Sequence, residues 1–289
     1  MPNFFKRKLK SFVRRASVPL NPHTLLSALH APTRLVEERP GKLSWKRPAV
    51  AAVLPGQSFA LPPADLRMGY GDDDADYLSI GARTAGTLRG LLAKTGVMLG
   101  AGTRAMDWGC ASGRVLRQFE PEARAGCEFW GVDQDSPHVS WCKEALSPPF
   151  KFGTCTAYPH LPFEDNSFQF IYAISVFTHL VHLMDGWLLE LRRILSPGGV
   201  GIFTVHDENT FNFFRDNPGH PPQWMQEHYK EGITGDVDIH LLRPDWGHTL
   251  TFFKSDYLRK DWGNYFEVVE IVPRAEVFQT AVVVRKPHQ

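Results

Sequence analysis

The chain of 289 residues is poor in cysteine, with only four, and no two of them form a Cys-x-x-Cys pair. This argues against a disulfide-stabilised scaffold or a zinc ribbon, and we expect four reduced, mostly buried thiols. No apolar run approaches the roughly 18 residues that a membrane-spanning helix needs. The basic N-terminal stretch is not followed by the apolar stretch of a secretory signal, which favours a cytoplasmic protein.

An excess of charge is also missing, because 32 basic residues nearly balance 31 acidic ones. This balance gives no case for nucleic acid as a partner. Residues 1–15 nevertheless hold six basic side chains and no acidic one. In a helix, Phe5, Leu9, Phe12 and Val13 of this tail would share one apolar face. Such a segment favours weak peripheral contact with an anionic membrane, and a solvated, frayed terminus is the alternative.

Hydrophobic periodicity is absent from residues 16–70, which contain eight prolines and are predicted to form an irregular extension. Residues 71–289 are predicted to be the main domain. Strands are expected near 103–108, 127–132, 150–154, 168–175, 200–205, 266–272 and 277–285. Helices are expected near 77–97, 112–121, 136–146, 180–195 and 255–265. This alternation predicts an α/β fold: a doubly wound, seven-stranded, mostly parallel sheet with helices on both faces and a C-terminal antiparallel hairpin that turns at 273–276.

Residues 207–250 interrupt the alternation and are predicted to be an irregular, lid-like insertion. This stretch is rich in proline, histidine, aspartate and aromatic residues. Its histidines do not show the spacing of metal ligands, so no metal site is predicted. The aromatic content favours a cover over an organic ligand.

The most informative stretch is 106–114, Met-Asp-Trp-Gly-Cys-Ala-Ser-Gly-Arg. A strand, a turn of small residues and a helix are typical of α/β proteins that bind nucleotide-like cofactors. The small residues Gly109, Ala111 and Gly113 are spaced two and two, whereas a dinucleotide turn is spaced two and three. The carboxylate of Asp107 would repel a pyrophosphate and suits a ligand that carries an ammonium and a sulfonium. Since alanine stands in the middle, we expect a negative φ at Ala111.

This turn resembles motif I of the class I S-adenosylmethionine-dependent methyltransferases, Asp/Glu-x-Gly-x-Gly-x-Gly, with Ala111 in place of the middle glycine. Asp133 follows Gly109 by 24 residues at the end of the next predicted strand. Three further segments, 161–168, 175–180 and 195–199, are similar to family segments in the same order. The resemblance covers residues 104–206, and the closing strands extend it to about 285.

The resemblance implies S-adenosyl-L-methionine as the cofactor and a small molecule as the methyl acceptor. The expected cofactor-binding residues are Asp107, Gly109, Cys110, Ala111, Gly113, Asp133, Gln134, Thr156 and Ser175. Asp133 is expected to accept the ribose hydroxyls. The acid that relatives often place against the adenine is missing, because 154–156 read Thr-Cys-Thr. Tyr77, Arg83 and Arg114 are alternatives for the methionine carboxylate.

His179 and His206 are the candidate general bases, since they follow the fourth and fifth predicted strands of the domain. The expected reaction is methyl transfer to an oxygen or nitrogen atom of a sugar, a lipid-linked or a secondary-metabolite acceptor. A cofactor-binding scaffold without activity and an NAD(P)-dependent oxidoreductase are the alternatives. The sequence leaves the oligomeric state open.

Overall fold

The computed structural model describes residues 49–71, 73–180, 183–220, 237–242 and 250–288, together with the backbone of 36–39 and 42–44. The predicted helical tail at 1–15 lies outside the described residues. So does most of the predicted insertion, at 221–236 and 243–249.

The described part of the chain contains β-strands and α-helices that largely alternate along the sequence. The strands are β1 (Val36–Arg39), β2 (Lys42–Ser44), β3 (Arg104–Trp108), β4 (Glu128–Asp133), β5 (Lys151–Thr154), β6 (Phe168–Ala173), β7 (Leu195–Asp207), β8 (Ile239–Leu242), β9 (Leu250–Phe253), β10 (Glu267–Glu276) and β11 (Gln279–Arg285). The α-helices are α1 (Asp74–Ala93), α2 (Glu120–Arg124), α3 (Ser136–Ala145), α4 (Met184–Ile194), α5 (Glu208–Asp216) and α6 (Ser255–Trp262).

The central sheet has the strand order β10-β11-β7-β6-β3-β4-β5. Strands β3 to β7 are parallel to one another, and β11 is antiparallel to both β7 and β10. The predicted seven-stranded, doubly wound sheet with a closing antiparallel hairpin is therefore confirmed. Two further strands extend it, because β9 pairs with the end of β7 at His206 and β8 pairs with β9.

The predicted irregular insertion is wrong at its beginning, where α5 starts directly after β7. The Asp207 carboxylate accepts hydrogen bonds from the backbone N–H groups of Asn209 and Thr210, at 3.0 and 3.1 Å. The Thr210 hydroxyl oxygen in turn accepts a hydrogen bond from the backbone N–H of Asp207, which completes a capping box. Phe211 and Phe214 form the buried face of this helix. This helix has only nine residues, so its hydrophobic periodicity is too short to be recognised in the sequence.

Two other predicted boundaries differ from the structure. The hairpin turns at 277–278 and not at 273–276, because β10 continues through Pro273. This is possible because β10 is the edge strand, where a missing N–H leaves no partner unsatisfied. The helix predicted near 112–121 is replaced by a 3₁₀ turn at Leu116–Phe119 followed by the short α2. Gly113 has a φ of 71°, which delays the start of the helix.

Two hydrophobic layers cover the two faces of the sheet. Phe119, Phe129 and Tyr172 lie in one layer, and Trp187 and Trp262 lie in the other. In the first layer α1 comes very close to the backbone at Arg114, and a Cβ at Gly81 would lie 2.4 Å from the Arg114 carbonyl oxygen. The glycine therefore lets α1 buttress the segment that follows β3. Among the described residues, no helix has the length and apolarity to cross a membrane.

Candidate functional site

The turn after β3 lies at the carboxyl edge of the sheet, where parallel α/β proteins bind their ligands. Gly109 has a φ of 83°, and its N–H donates to the Val132 carbonyl at 2.7 Å. A Cβ at Gly109 would lie 2.3 Å from Cγ2 of Val176, and one at Gly113 would lie 2.4 Å from Cδ1 of Leu146. Both positions therefore require glycine, because φ is positive and a Cβ would clash. The backbone of the turn faces the carboxyl edge of the sheet.

The expected negative φ at Ala111 is wrong, since its φ is 43°. Hydrogen bonds at both the N–H and the carbonyl group of Ala111 stabilise this left-handed conformation. The Ala111 N–H donates to Oδ2 of Asp133 at 2.8 Å, and its carbonyl accepts from the thiol of Cys142 at 3.4 Å. These contacts come from other elements of the fold, and they outweigh the local preference of alanine.

Asp133 ends β4 directly beside the turn. Its Oδ2 accepts from Ala111 and its Oδ1 accepts from the backbone N–H of Asp135, each at 2.8 Å. Burial raises the pKa of this carboxyl, against the lowering effect of the two backbone donors. Each carboxylate oxygen retains a lone pair for a second donor. Gln134 is exposed next to it, and Thr156 is half-buried in the segment that follows β5.

Asp107 and Cys110 are both buried in this region. Burial raises the pKa of the Asp107 carboxyl to about 7, against the lowering effects of the Tyr172 hydroxyl and the Arg114 guanidinium. The Cys110 thiol lies against Cys142, and its pKa is raised well above the ordinary value by that contact and by burial. Cys110 is thus placed as a neutral, packed side chain of the turn.

Residues 59–71, part of the predicted irregular extension, lie across the glycine turn that follows β3. The Ser112 hydroxyl donates to the Leu66 carbonyl at 2.7 Å. The Tyr70 hydroxyl donates to the Ser175 hydroxyl oxygen at 2.9 Å, and the guanidinium of Arg114 lies 4.1 Å from the Tyr70 ring centroid. These contacts fasten the segment to two strand ends and show that it belongs to the site.

A cavity of about 40 Å³ remains between this segment and the turn. Its lining includes Arg67, Tyr70, Asp107, Gly109 and Arg114. Pockets that bury drug-sized ligands enclose roughly 300–1,000 Å³. We therefore expect entry of a nucleoside cofactor to displace residues 59–71 outward. Of the three alternatives for a carboxylate partner, Arg114 lines the cavity, Tyr77 is buried against Ser112, and Arg83 is exposed.

The comparisons with known proteins agree with this arrangement. Residues 106–203 match the family model described as a methyltransferase domain. Residues 106–203 thus form a methyltransferase domain. S-adenosylmethionine is the cofactor of such domains, and the carboxylates of Asp107 and Asp133, buried and half-buried respectively, lie on either side of the glycine turn.

A curated relative is the sterol 24-C-methyltransferase erg6 of Schizosaccharomyces pombe. It is 34% identical over 104 residues, which make up 34% of this chain and 26% of that protein. This chain thus spans about a quarter of the length of that relative.

Solved structures share the fold of the methyltransferase domain. An S-adenosylmethionine-dependent methyltransferase from Clostridium acetobutylicum has a TM-score of 0.52 at 11% identity, and the match covers 75% of this chain and 93% of that one. The magnesium protoporphyrin IX methyltransferase of Synechocystis, solved with bound S-adenosylhomocysteine, has a TM-score of 0.50 at 15% identity. That match covers 75% of this chain and 90% of the other.

The two candidate bases of the methyltransferase domain lie in different environments. His179 is exposed in the segment after β6, whereas His206 is buried at the end of β7. Burial, with a smaller contribution from His179, lowers the pKa of His206 to about 3. His206 is therefore a neutral hydrogen-bonding group at physiological pH and a weak base. Among the described residues, no cluster of three or more metal ligands exists.

Sequence reasoning missed Gln279, which begins β11. Its side chain is buried, and its Nε2 donates to the Ser175 hydroxyl oxygen at 2.5 Å. Ser175 itself has a φ of 58°, and its N–H donates to the Thr204 hydroxyl at 2.8 Å. The oxygen of Ser175 thus joins Tyr70 and Gln279 at the carboxyl edge. No local motif marks Gln279, since it is 104 residues from Ser175.

Binding of S-adenosylhomocysteine is expected to strengthen about tenfold between pH 6 and pH 8. Asp107 is predicted to hold the cofactor ammonium, which would favour the ionised form of this carboxyl, whose pKa is about 7, so the binding-competent fraction should rise over this range. The free energy of unfolding should fall as the pH rises from about 4 to about 7, because the native state holds the proton that the unfolded chain has lost. Calorimetric titrations and urea unfolding at several pH values measure both effects. Asp107→Asn should remove them, and an unchanged pH slope in this variant would contradict the assignment.

Tyr70→Phe is expected to accelerate association of S-adenosylhomocysteine about fivefold. The substitution removes the hydrogen bond to Ser175, worth about 1 kcal/mol, and keeps the ring over Arg114. Residues 59–71 would then open more often. Stopped-flow tryptophan fluorescence measures the rate constant. Tyr265→Phe, which removes a hydroxyl outside the cavity lining, is the control, and equal rates in all three proteins would refute a covering role for Tyr70.

Proposed function

We propose that this protein transfers the methyl group of S-adenosylmethionine to an oxygen or nitrogen atom of a small, largely apolar acceptor, such as a lipid-like molecule or a secondary metabolite. The observation that carries the apolar character is a group of aromatic rings at the carboxyl edge, beside Ser175. We call it the aromatic wall, and it consists of Phe211, Phe213, Phe214, Phe252 and Phe278.

The aromatic wall is built from three elements that meet at the end of β7. The His206 ring lies 5.0 Å from the Phe252 centroid and 5.8 Å from that of Phe278. Phe278 lies 4.7 Å from Phe214 on α5. Phe213 and Phe278 are only half-buried, so the wall retains apolar surface for a ligand. Sugars would find few hydrogen-bonding partners there, which makes them the less favoured acceptors.

The curated relative supports an apolar acceptor, because its name describes methylation of a sterol. That name places the methyl group on carbon. For this chain we propose oxygen or nitrogen, since polar side chains of Ser175, His206 and Gln279 accompany the aromatic wall.

Each group of residues has a separate role in the proposed methyl transfer. The cofactor supplies an electrophilic methyl group. Asp107 would hold its ammonium, Asp133 would hold its ribose, and the turn at 109–113 would lie against it. Residues 59–71 exclude water from this region, and the aromatic wall orients the acceptor. Methyl transfer is an in-line displacement, so alignment in a dry site supplies much of the acceleration.

The test combines cofactor binding with transfer. Calorimetry should show binding of S-adenosylhomocysteine and no binding of NADH. Tritium from labelled S-adenosylmethionine should pass to 2-naphthol, 2-naphthylamine or 1-dodecanol in preference to glucose. Lack of S-adenosylhomocysteine binding would refute the proposal. Tight binding without transfer to any acceptor would favour a non-catalytic scaffold, and NADH binding would favour an oxidoreductase.

We also propose that this is a cytoplasmic protein whose residues 1–15 touch anionic membranes weakly. The support is the sequence pattern of six basic residues around an apolar helical face. The full chain should sediment with phosphatidylserine vesicles at low salt, and the chain without residues 1–15 should not. Equal sedimentation of both proteins would refute this role.

A further inference from the structure

The edge of the aromatic wall contains two buried polar side chains whose hydrogen-bonding atoms lack partners among the described residues. They are Gln279, through Oε1, and His206, through both ring nitrogens. The two side chains are 6% and 4% exposed. Buried polar atoms are nearly always paired in folded proteins, because an unpaired one has lost its water without replacement. Two side chains with such atoms at one edge therefore need an explanation.

The two side chains are neighbours across adjacent strands. Thr280 of β11 pairs with Val205 of β7, and the next residues toward the carboxyl edge are Gln279 and His206. Side chains at opposite positions of antiparallel strands lie on the same face, close enough to contact one ligand. The two side chains therefore lie on one face of the sheet, at the carboxyl end of β7.

Gln279 also connects this place to the cofactor region. Its Nε2 donates to the oxygen of Ser175, which also accepts from Tyr70. Tyr70 in turn lines the cavity beside Asp107 and Gly109. Outward movement of residues 59–71 would remove the Tyr70 hydroxyl from the Ser175 oxygen, to which Gln279 is also bonded. If the amide is rotated by 180°, Nε2 becomes the unpaired atom, so one end of the side chain lacks a partner in either orientation.

We infer that Gln279 and His206 together bind a hydroxyl group of the methyl acceptor. A hydroxyl is both a donor and an acceptor, and this pair offers the complementary functions. Oε1 of Gln279 accepts a hydrogen bond from the hydroxyl, and an N–H of the His206 ring donates a hydrogen bond to the hydroxyl oxygen. The rings of the aromatic wall contact the apolar remainder of the acceptor. The inference rests on the proposed function and assigns the polar end of its acceptor site.

A purely structural role explains the pair poorly. His206 is surrounded by phenylalanine rings, and a phenylalanine at this position would fill similar space without unpaired nitrogens. Ser175, to which Gln279 is bonded, has a left-handed backbone, and such strain is concentrated at functional sites. The unpaired atoms and the strained backbone therefore lower the stability of the fold at this edge, as is common where side chains are retained for binding.

Matched ligands test the pair in the full chain with saturating S-adenosylhomocysteine. The probes are 2-naphthol and naphthalene, which differ by one hydroxyl, and their fluorescence reports binding. The wild-type chain should bind 2-naphthol about tenfold more tightly than naphthalene, the ratio expected when two neutral hydrogen bonds together contribute about 1.4 kcal/mol. Gln279→Met and His206→Phe should each reduce this ratio to about threefold, because one of the two hydrogen bonds is then lost. His206→Phe should also raise Tm by about 2–4 °C, because two unpaired polar atoms are removed.

Gln169→Met is the matched control, since Gln169 bonds the backbone of Arg104 at the opposite edge of the sheet. It should keep the tenfold ratio. An unchanged ratio in Gln279→Met and His206→Phe would overturn the inference, and so would equal wild-type affinities for the two probes. Weaker S-adenosylhomocysteine binding in Gln279→Met, with an unchanged ratio, would assign the amide to the cofactor instead. Failure of the proposed function is distinguished from failure of this inference, because the wild-type chain would then neither bind the cofactor nor transfer a methyl group.

Discussion

Asp133→Asn should weaken binding of S-adenosylhomocysteine about 100-fold. The carboxylate is predicted to accept the ribose hydroxyls, and hydrogen bonds to an ionised acceptor contribute about 1.5–3 kcal/mol each. Both of its oxygens also accept a backbone N–H, from Ala111 and Asp135, at 2.8 Å. An asparagine has one oxygen only, so its NH₂ group would face one of these donors. The variant therefore loses charge and also disturbs the turn.

Two measurements separate these effects. Calorimetry gives the affinity, and thermal unfolding without ligand gives the stability of the turn. Glu128→Gln is the control, because Glu128 lies at the other end of the same strand and pairs with Arg104 and Lys151. It should lose surface ion pairs without a change in affinity. An Asp133→Asn protein that binds S-adenosylhomocysteine like the wild type would refute the ribose assignment.

Gly109→Ala should lower the free energy of unfolding by about 2–5 kcal/mol and abolish cofactor binding. The φ of 83° costs an alanine about 1–2 kcal/mol. The new Cβ would also lie 2.3 Å from Cγ2 of Val176, so the segment after β6 would have to shift, at a cost of about 1–3 kcal/mol. That segment leads away from Ser175, and its displacement would distort the edge that faces the cofactor.

The reciprocal change in the same turn should have the opposite sign. Ala111 has a φ of 43°, so Ala111→Gly relieves backbone strain while it adds freedom to the unfolded chain. We expect a gain in stability of up to about 1 kcal/mol, with cofactor affinity retained. Urea unfolding of both variants measures the difference. Losses of similar size in the two would show that any change in this turn is harmful, independently of φ.

Much of the fold could be predicted because its signals are local. The alternation of apolar strands with helical stripes predicted the order of elements, and the closing strands predicted the antiparallel hairpin. The predictions failed where a distant contact decides the outcome. Pro273 is accepted within β10 because that strand lies at the edge of the sheet, and Asp207 begins a helix where composition indicated an irregular segment.

The sequence by itself indicated the cofactor through the family resemblance, because the acid, the small-residue turn and the second acid that carry much of it lie within 27 residues. Only the tertiary structure decided the conformation of Ala111, because Asp133 and Cys142 hold it from neighbouring elements. It also decided that Tyr70 and Gln279 meet on Ser175, across separations of 105 and 104 residues. Such contacts arise from the packing of whole strands and segments, and no short sequence pattern encodes them.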